Sequence, residues 1–448
     1  MYTRFVVVLM FGIHKNPDRA AMGSVLLMIL LAMVGGAMSL TYVHHNNAAM
    51  AAYLREVHNN YPDITKLYSI GKTVKGEDMW VLAIGSSFSN LDLRPHVKYI
   101  GNMHGNEVVS RELLLHLIDL YVTSYGTNVT LTQFLDTTTV HIMPSMNPDG
   151  YSVAVEEQCG EVLGRPNANS KDLNRNFPDL IHDLAVKPVQ PETQHVIDWL
   201  DDYNFVLSAN LHGGVMVANY PWDLYMNTRL QTIGSGKSIC PDDDTFKYLA
   251  LTYSRSHHTM SKTNGTECGY NFPDGITNGA DWYPVSGGMQ DYNYIAAGIF
   301  EITLEVSCCK FPAAPTLVDF WIKNKDALVN YLLLVHMGVK GYIRDKNNNS
   351  LDGAVLSIKG REFPRFRSKH GGQYFRLLMP GEYTLNVSYK NHTESKQFTV
   401  SAGVVTRLDV TLDVDERDPS NNALKSTSSV PTMATFYMLL HALVNSER

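Results

Sequence analysis

The hydrophobic pattern of this chain changes once, near Gly338, and that change calls for two different folds in series. From about His44 to His336, segments with apolar residues at helical spacing alternate with short β-rich runs, the pattern of an α/β domain. Residues 48–57, 109–121 and 317–335 read as helices, and 80–84, 97–100, 140–143, 205–211 and 299–306 as strands. After Gly338, residues 383–389 and 405–412 alternate apolar with polar, and turn clusters at 345–349 and 380–381 separate the runs. That grammar predicts a small all-β sandwich, roughly 75 residues long. The expected organisation is a targeting region over 1–43, an α/β domain over 44–337, the sandwich over 338–414, and a linker with an apolar tail over 415–448.

Composition removes several classes. With 44% apolar and 18% charged residues, the chain can bury a core and is not disordered. A net charge of −7 without a basic run argues against a nucleic-acid partner. Arg19 precedes an almost wholly apolar stretch, 22–40, with small residues near Ala37 and Ser39. This reads as a secretory signal, although the stretch is also about long enough for an uncleaved membrane anchor. Five Asn-x-Ser/Thr sequons, at Asn128, Asn264, Asn348, Asn386 and Asn391, fit a secreted glycoprotein. Small residues at 426–429, a spacer and an apolar stretch over 432–444 resemble a signal for a lipid (GPI) anchor and membrane attachment, ahead of an unusually polar end. The expected location is extracellular, at the cell surface or secreted.

The chemistry starts at His104-Gly-Asn-Glu107, between a predicted strand and a predicted helix. A His and a Glu three apart at a strand end can turn an imidazole and a carboxylate toward one point. His212, at the end of the strand over 205–211, is the candidate third ligand of a zinc site with one position left for water. By itself the pair is a weak signal among 17 histidines. His44, His45, His257 and His258 lack both the carboxylate and the strand, and are expected at the surface.

Six stretches then occur in one order: His104 to Glu107, Asn147-Pro-Asp-Gly150, Asp172-Leu-Asn-Arg-Asn-Phe-Pro-Asp179, Asn210-Leu-His-Gly-Gly214, Gly287-Gly-Met-Gln-Asp-Tyr292 and Thr303-Leu-Glu-Val-Ser-Cys-Cys309. Together they resemble the zinc metallocarboxypeptidases, in their regulatory (N/E) branch, over about residues 44–412. The resemblance implies a mixed β-sheet flanked by helices, followed by a transthyretin-like sandwich. It implies one Zn²⁺ held by His104, Glu107 and His212, and hydrolysis of the last bond of peptides or proteins ending in Lys or Arg. It assigns the general base to Glu305; the strand pattern alone leaves Glu301 and Glu305 open, because residues four apart share a face. Asn174 and Arg175 are then expected to bind the substrate carboxylate, and Arg165 to polarise the scissile carbonyl. Tyr283 is expected to cover the substrate, with Asp223 meeting a basic side chain and Gln290 adding a carbonyl acceptor. Two rivals are a non-catalytic peptide-binding module, which would lack one of these residues, and an acylase-type zinc amidohydrolase, which would lack the 172–179 stretch.

Set against the family pattern, Cys240 looks like an added residue, since Ile299 stands where a relative has a cysteine. The comparison implies a Cys240–Cys268 bridge, and Cys159 paired with Cys308 or Cys309. One of the five thiols is then left over.

Overall fold

The computed structural model describes residues 40–182, 188–225 and 236–414. Most of the targeting region and all of the linker and tail lie outside the described residues. Among these, no helix is long and apolar enough to cross a membrane.

Eight strands build the first sheet: β1 (Thr65–Lys72), β2 (Asp78–Ile84), β3 (His96–Gly101), β4 (Thr139–Met143), β5 (Phe205–His212), β6 (Met216–Tyr220), β7 (Ile276–Asn278) and β8 (Phe300–Val306). Their spatial order is β1-β2-β4-β3-β5-β8-β6-β7. The central strands β4, β3, β5 and β8 run parallel, while β1 on β2, β2 on β4 and β6 on β8 are antiparallel. The sheet is therefore mixed. Every residue of β3, β4 and β5 is buried, as expected for strands covered on both faces.

The helices are α1 (Asn47–Asn60), α2 (Val109–Ser124), α3 (Val129–Thr137), α4 (Pro148–Tyr151), α5 (Pro191–Asp202), α6 (Asp243–Ser256), α7 (Met260–Thr263), α8 (Gly279–Trp282), α9 (Met289–Ala297) and α10 (Leu317–Leu333). Asparagine opens three of them. The side chains of Asn46, Asn128 and Asn147 accept from Ala49, Leu131 and Gly150 amides that have no helical partner. The helix expected over 317–335 ends as α-helix at Leu333 and finishes in a 3₁₀ turn, Leu334–His336. Inside the sheet, Lys98 Nζ lies 2.9 Å from Glu301 Oε2 with neither side chain exposed, and Ser208 and Asn293 complete the group. Glu301 is thus consumed by the core.

The second module has strands β9 (Val339–Asp345), β10 (Val355–Ile358), β11 (Arg361–Arg367), β12 (Gln373–Arg376), β13 (Gly381–Tyr389), β14 (His392–Val400), β15 (Thr406–Arg407) and β16 (Val410–Leu412). They form a sheet β11-β10-β13-β14 and a sheet β12-β9-β15, with β16 also on β9. Alternate residues such as Leu385, Val387, Phe398 and Val400 fill the space between. The run expected over 405–412 is broken into two short strands, both parallel to β9. Arg376 of β12 reaches into the first module, where its buried guanidinium and the Tyr294 hydroxyl both donate to Asp242.

Two expectations are corrected. The bridges are Cys159–Cys309 and Cys268–Cys308, with Cα separations of 4.2 and 5.1 Å, and Cys240 is a buried free thiol. Cys268 sits in a turn beside the end of β8, within disulfide reach of Cys308, whereas Cys240 is enclosed just before α6. Nor are the four spare histidines all at the surface. His45 and His257 are buried and the His44 side chain is nearly covered; only His258 stays open. His45 Nδ1 lies 2.7 Å from Glu112 Oε2, which satisfies a ring that no local pattern marks for burial.

Candidate active site

The site lies where parallel strands end, the usual crevice of an open α/β sheet. β3 stops at Gly101, β5 at His212, and Glu305 on β8 pairs in register with His212. After β3 the chain turns through Asn102, in the left-handed region at φ 54°. Its side-chain amide donates to the carbonyls of His104 and Gly105, at 3.0 and 2.9 Å, which rolls the loop so that His104 and Glu107 face one way. Gly105 permits this because the chain at Gly150 and Tyr151 passes against it; a Cβ there would sit 2.2 Å from the Tyr151 nitrogen.

His104 Nδ1 and His212 Nδ1 lie 3.0 and 2.9 Å from Glu107 Oε2 and 3.1 Å from each other. On the outer side, His104 Nε2 lies 3.0 Å from Asp172 Oδ1 and His212 Nε2 lies 2.6 Å from the Asn210 side chain. Placing the His104 ring proton on its Asp172 contact, and turning the Asn210 amide so that its otherwise unpartnered oxygen rather than its NH₂ meets a protonated His212 Nε2, leaves both Nδ1 lone pairs and a carboxylate oxygen aimed at one point. Ligands on bonds of about 2.0–2.1 Å in a tetrahedron stand roughly 3.3 Å apart, close to this triangle. Among the described residues these three form the one cluster of His, Cys, Asp and Glu able to hold a metal. Two imidazoles and one carboxylate suit zinc with an open fourth position. The residues fit the ion.

Around the triad is a cavity of about 280 Å³ that also collects Arg165, Asn174, Arg175, Asp223, Tyr283 and Glu305. Arg165 Nη1 lies 3.2 Å from Glu107 Oε1, and its Nε and Nη2 donate to Asp172. Asn174 accepts from the Met289 amide, and its carbonyl takes a bond from Arg175 Nη1. Tyr283 is 42% exposed at the mouth. Glu305 Oε2 is buried without a partner, and burial, reinforced by the Glu107 charge, pushes its carboxyl well above the usual range.

The cavity floor is acidic. Asp223 is buried, and its Oδ1 accepts from Asn219 Nδ2 and Gln290 Nε2, both at 2.9 Å. Burial pushes its carboxyl up to about 6. Gly279 makes room for it, since a Cβ there would lie 1.9 Å from Asp223 Oδ1. Gln290 is buried at this floor, with its carbonyl oxygen committed to the Thr303 amide at 2.7 Å and its amide aimed at Asp223. Asp291 holds the Asp223 amide. Sequence reasoning gave no role to Asn102, Asp172, Asn210, Asn219 or Asp291. Asp172, Asn210 and Asp291 carried a signal, as members of the motif stretches.

An open mixed α/β sheet with a buried His-Glu-His cluster at its strand ends defines a metal-dependent hydrolase class. The zinc carboxypeptidase family model (Peptidase M14) matches residues 50–327, and the carboxypeptidase regulatory-like domain matches 338–413. The chain belongs to the zinc carboxypeptidases. It is 45% identical to mouse carboxypeptidase M over 379 residues, covering 84% of this chain and 83% of that one. It is 44% identical to the rat carboxypeptidase N catalytic chain over 387 residues, covering 81% and 84%. Against mouse carboxypeptidase D the figure is 41%, over 89% of this chain and 30% of the other. The crystal structure of carboxypeptidase A from Helicoverpa armigera shares the fold, with a TM-score of 0.54 at 17% identity over 70% of this chain and 79% of that one. The protein is thus a zinc-dependent metallocarboxypeptidase that uses one Zn²⁺.

Proposed function

We propose that this enzyme releases a single C-terminal Lys or Arg from peptides and proteins, outside the cell or at its surface. The observation that carries the reading is Asp223: a buried carboxylate at the floor of the cavity, held by two amide donors, with no cation bonded to it among the described residues. A buried charge is costly when left unpaired, and a substrate ammonium or guanidinium would supply the missing partner. Arg175 and Asn174 would anchor the terminal carboxylate, which a guanidinium fork suits. His104, Glu107 and His212 would hold the zinc, which when bound polarises the scissile carbonyl and acidifies a water. Glu305, reaching the cavity across the β5–β8 pair from His212, would accept that water's proton and return it to the leaving amine. Arg165 would support charge developing on the carbonyl oxygen, and Tyr283 would close over the substrate.

All five sequons lie at exposed or half-buried positions, which suits glycosylation in the secretory pathway. For the tail we keep the lipid-anchor reading; phospholipase C should release activity from intact cells, and activity found only in the medium with an intact C-terminus would remove it. The specificity reading is tested by a peptide series varied only at its last residue. Arg- and Lys-ended members should be cleaved well and Phe- and Leu-ended members poorly; equal cleavage of both groups would overturn it.

A further inference from the structure

The paired strands β6 and β8 serve as a ruler along the cleft. Asn219 is level with Thr303, Val217 with Glu305 and Met216 with Val306. Asp223 and Gln290 bond to the Asn219–Thr303 level, which marks the floor. Glu305 and His212 mark the level of the reacting bond. Val215 lies beyond them, about 7 Å further out at some 3.3 Å per residue. A peptide whose last side chain reaches Asp223 must therefore run outward past Val215.

That outer level is walled with rings. Val215, Val217 and Phe272 form a small apolar cluster with Trp282 packed on it. Phe272 stacks on Tyr270 at 5.5 Å with an interplanar angle of 11°, and Trp282 meets both rings edge-on at 5.4 and 6.2 Å. Tyr270 and Trp282 line the cavity, and Tyr270 is 45% exposed. Gly213 and Gly214 offer no side chain at this level. A Cβ on Gly214 would lie 3.2 Å from Lys310 Cε, so the apolar stem of that lysine bounds the same space. The exposed Tyr270 ring and the half-buried Trp282 beside a bare glycine pair make a surface that another flat apolar side chain covers well.

We infer that Tyr270, Trp282 and the Gly213-Gly214 floor form a second subsite that takes an aromatic side chain at the penultimate position of the substrate. This rests on the proposed placement of the last residue at Asp223. The test is a set of N-blocked peptides ending in Phe-Arg, Leu-Arg, Ala-Arg and Asp-Arg. Phe-Arg should exceed Ala-Arg in kcat/KM by tenfold or more, mainly through KM. Tyr270→Ala should shrink that ratio below about threefold, the loss of one ring contact. Tyr270→Phe should keep it, and it covers the case of a poorly folding alanine variant. Equal rates for Phe-Arg and Ala-Arg, a ratio unmoved by Tyr270→Ala, or a preference for Asp-Arg set by the Lys310 charge would each overturn the proposal. Failure of every Arg-ended peptide would instead remove the Asp223 reading. The same Phe-to-Ala comparison, made with the last residue the enzyme does accept, would still decide the subsite.

Discussion

Arg376 in the β-sandwich donates to Asp242 at the start of α6, and neither side chain has any exposed surface. The guanidinium also lies 4.9 Å over Phe300 and 5.0 Å over Phe366, one ring from each module. Arg361 adds a second bond to Asp242, at 3.2 Å, and pairs with Asp244 at 2.7 Å. Removing one partner of a buried pair costs about 3–5 kcal/mol, whereas removing both together costs far less. Because Arg361 and Tyr294 still bond Asp242, Arg376→Met should lose less than that, about 1–3 kcal/mol in urea unfolding, and Arg376→Met with Asp242→Asn should recover part of it. A loss under about 1 kcal/mol in the single variant would deny this pair a part in joining the modules.

Glu305→Gln should keep zinc but lose roughly 10²- to 10⁴-fold in kcat, because a carboxamide cannot accept a proton. His212→Ala should lose the metal itself. Elemental analysis of both purified proteins separates the two roles: full zinc occupancy in His212→Ala, or full turnover in zinc-loaded Glu305→Gln, would contradict the assignments.

Opposite charge in a shielded pocket is worth roughly 2–5 kcal/mol. Asp223→Ala should slow Arg- and Lys-ended peptides about 30-fold or more, with little effect on Phe- or Leu-ended ones. The same carboxyl gives a pH signature. With its pKa pushed up to about 6 in the free enzyme, it is largely neutral below that value and no longer attracts a cation. The KM ratio of an Arg-ended to a Leu-ended peptide should therefore rise as pH falls below 6, approaching tenfold per unit. A flat ratio from pH 7.5 to 5 would exclude Asp223 as the contact.

His96 and His141 are buried against each other, Nδ1 to Nε2 at 2.8 Å, with Tyr68 bonded to the far side of His141. Burial lowers the His96 ring from 6.5 to about 3 and holds His141 well below its ordinary value. Such a ring stays neutral in the fold but takes a proton near pH 6.5 once unfolded. Its contribution is thus complete above pH 6.5 and lost as pH falls toward the folded value. At pH 5 the loss for His96 is about 2 kcal/mol relative to neutral pH. His96→Gln should start less stable at pH 7.5 yet lose about 2 kcal/mol less than the parent between pH 7.5 and 5. Equal losses in urea titrations would place the acid sensitivity elsewhere.

What the sequence disclosed depended on how local the signal was. His104 and Glu107 are three apart on one loop, and β5 is a short β-rich run ending at His212, so the triad could be read from spacing and strand ends. Asp223 follows His212 closely enough to reach the same cavity, but its role, like that of Gln290, came only from the family resemblance. Gln290 was expected to offer an oxygen, but the Thr303 amide takes that oxygen, a pairing that exists only once α9 lies on β8. The supports were hidden for the same reason. Asp172 is 68 positions from His104, and Asp242 is 134 from Arg376, and no periodicity relates such pairs. The cysteines differed: the adjacent thiols are equivalent on paper and were left open for Cys159, whereas the expected Cys240–Cys268 bridge failed because the turn carrying Cys268 lies beside the end of β8 and Cys308.

Those adjacent thiols also govern how anything gets in. Cys309 is bridged to Cys159, in the loop that leads to Arg165, and Cys308 is bridged to Cys268, beside Tyr270. Both banks of the cleft are thereby moored to one strand end, a few residues past Glu305, and cannot swing apart like jaws. Beyond the movement of single side chains such as Tyr283, the give must come from the incoming molecule. A chain terminus has to be slack over several residues to thread such a slot, and a terminus packed into its own fold is turned away until it frays. Two proteins with the same last residues would then differ in fate by the looseness of their tails.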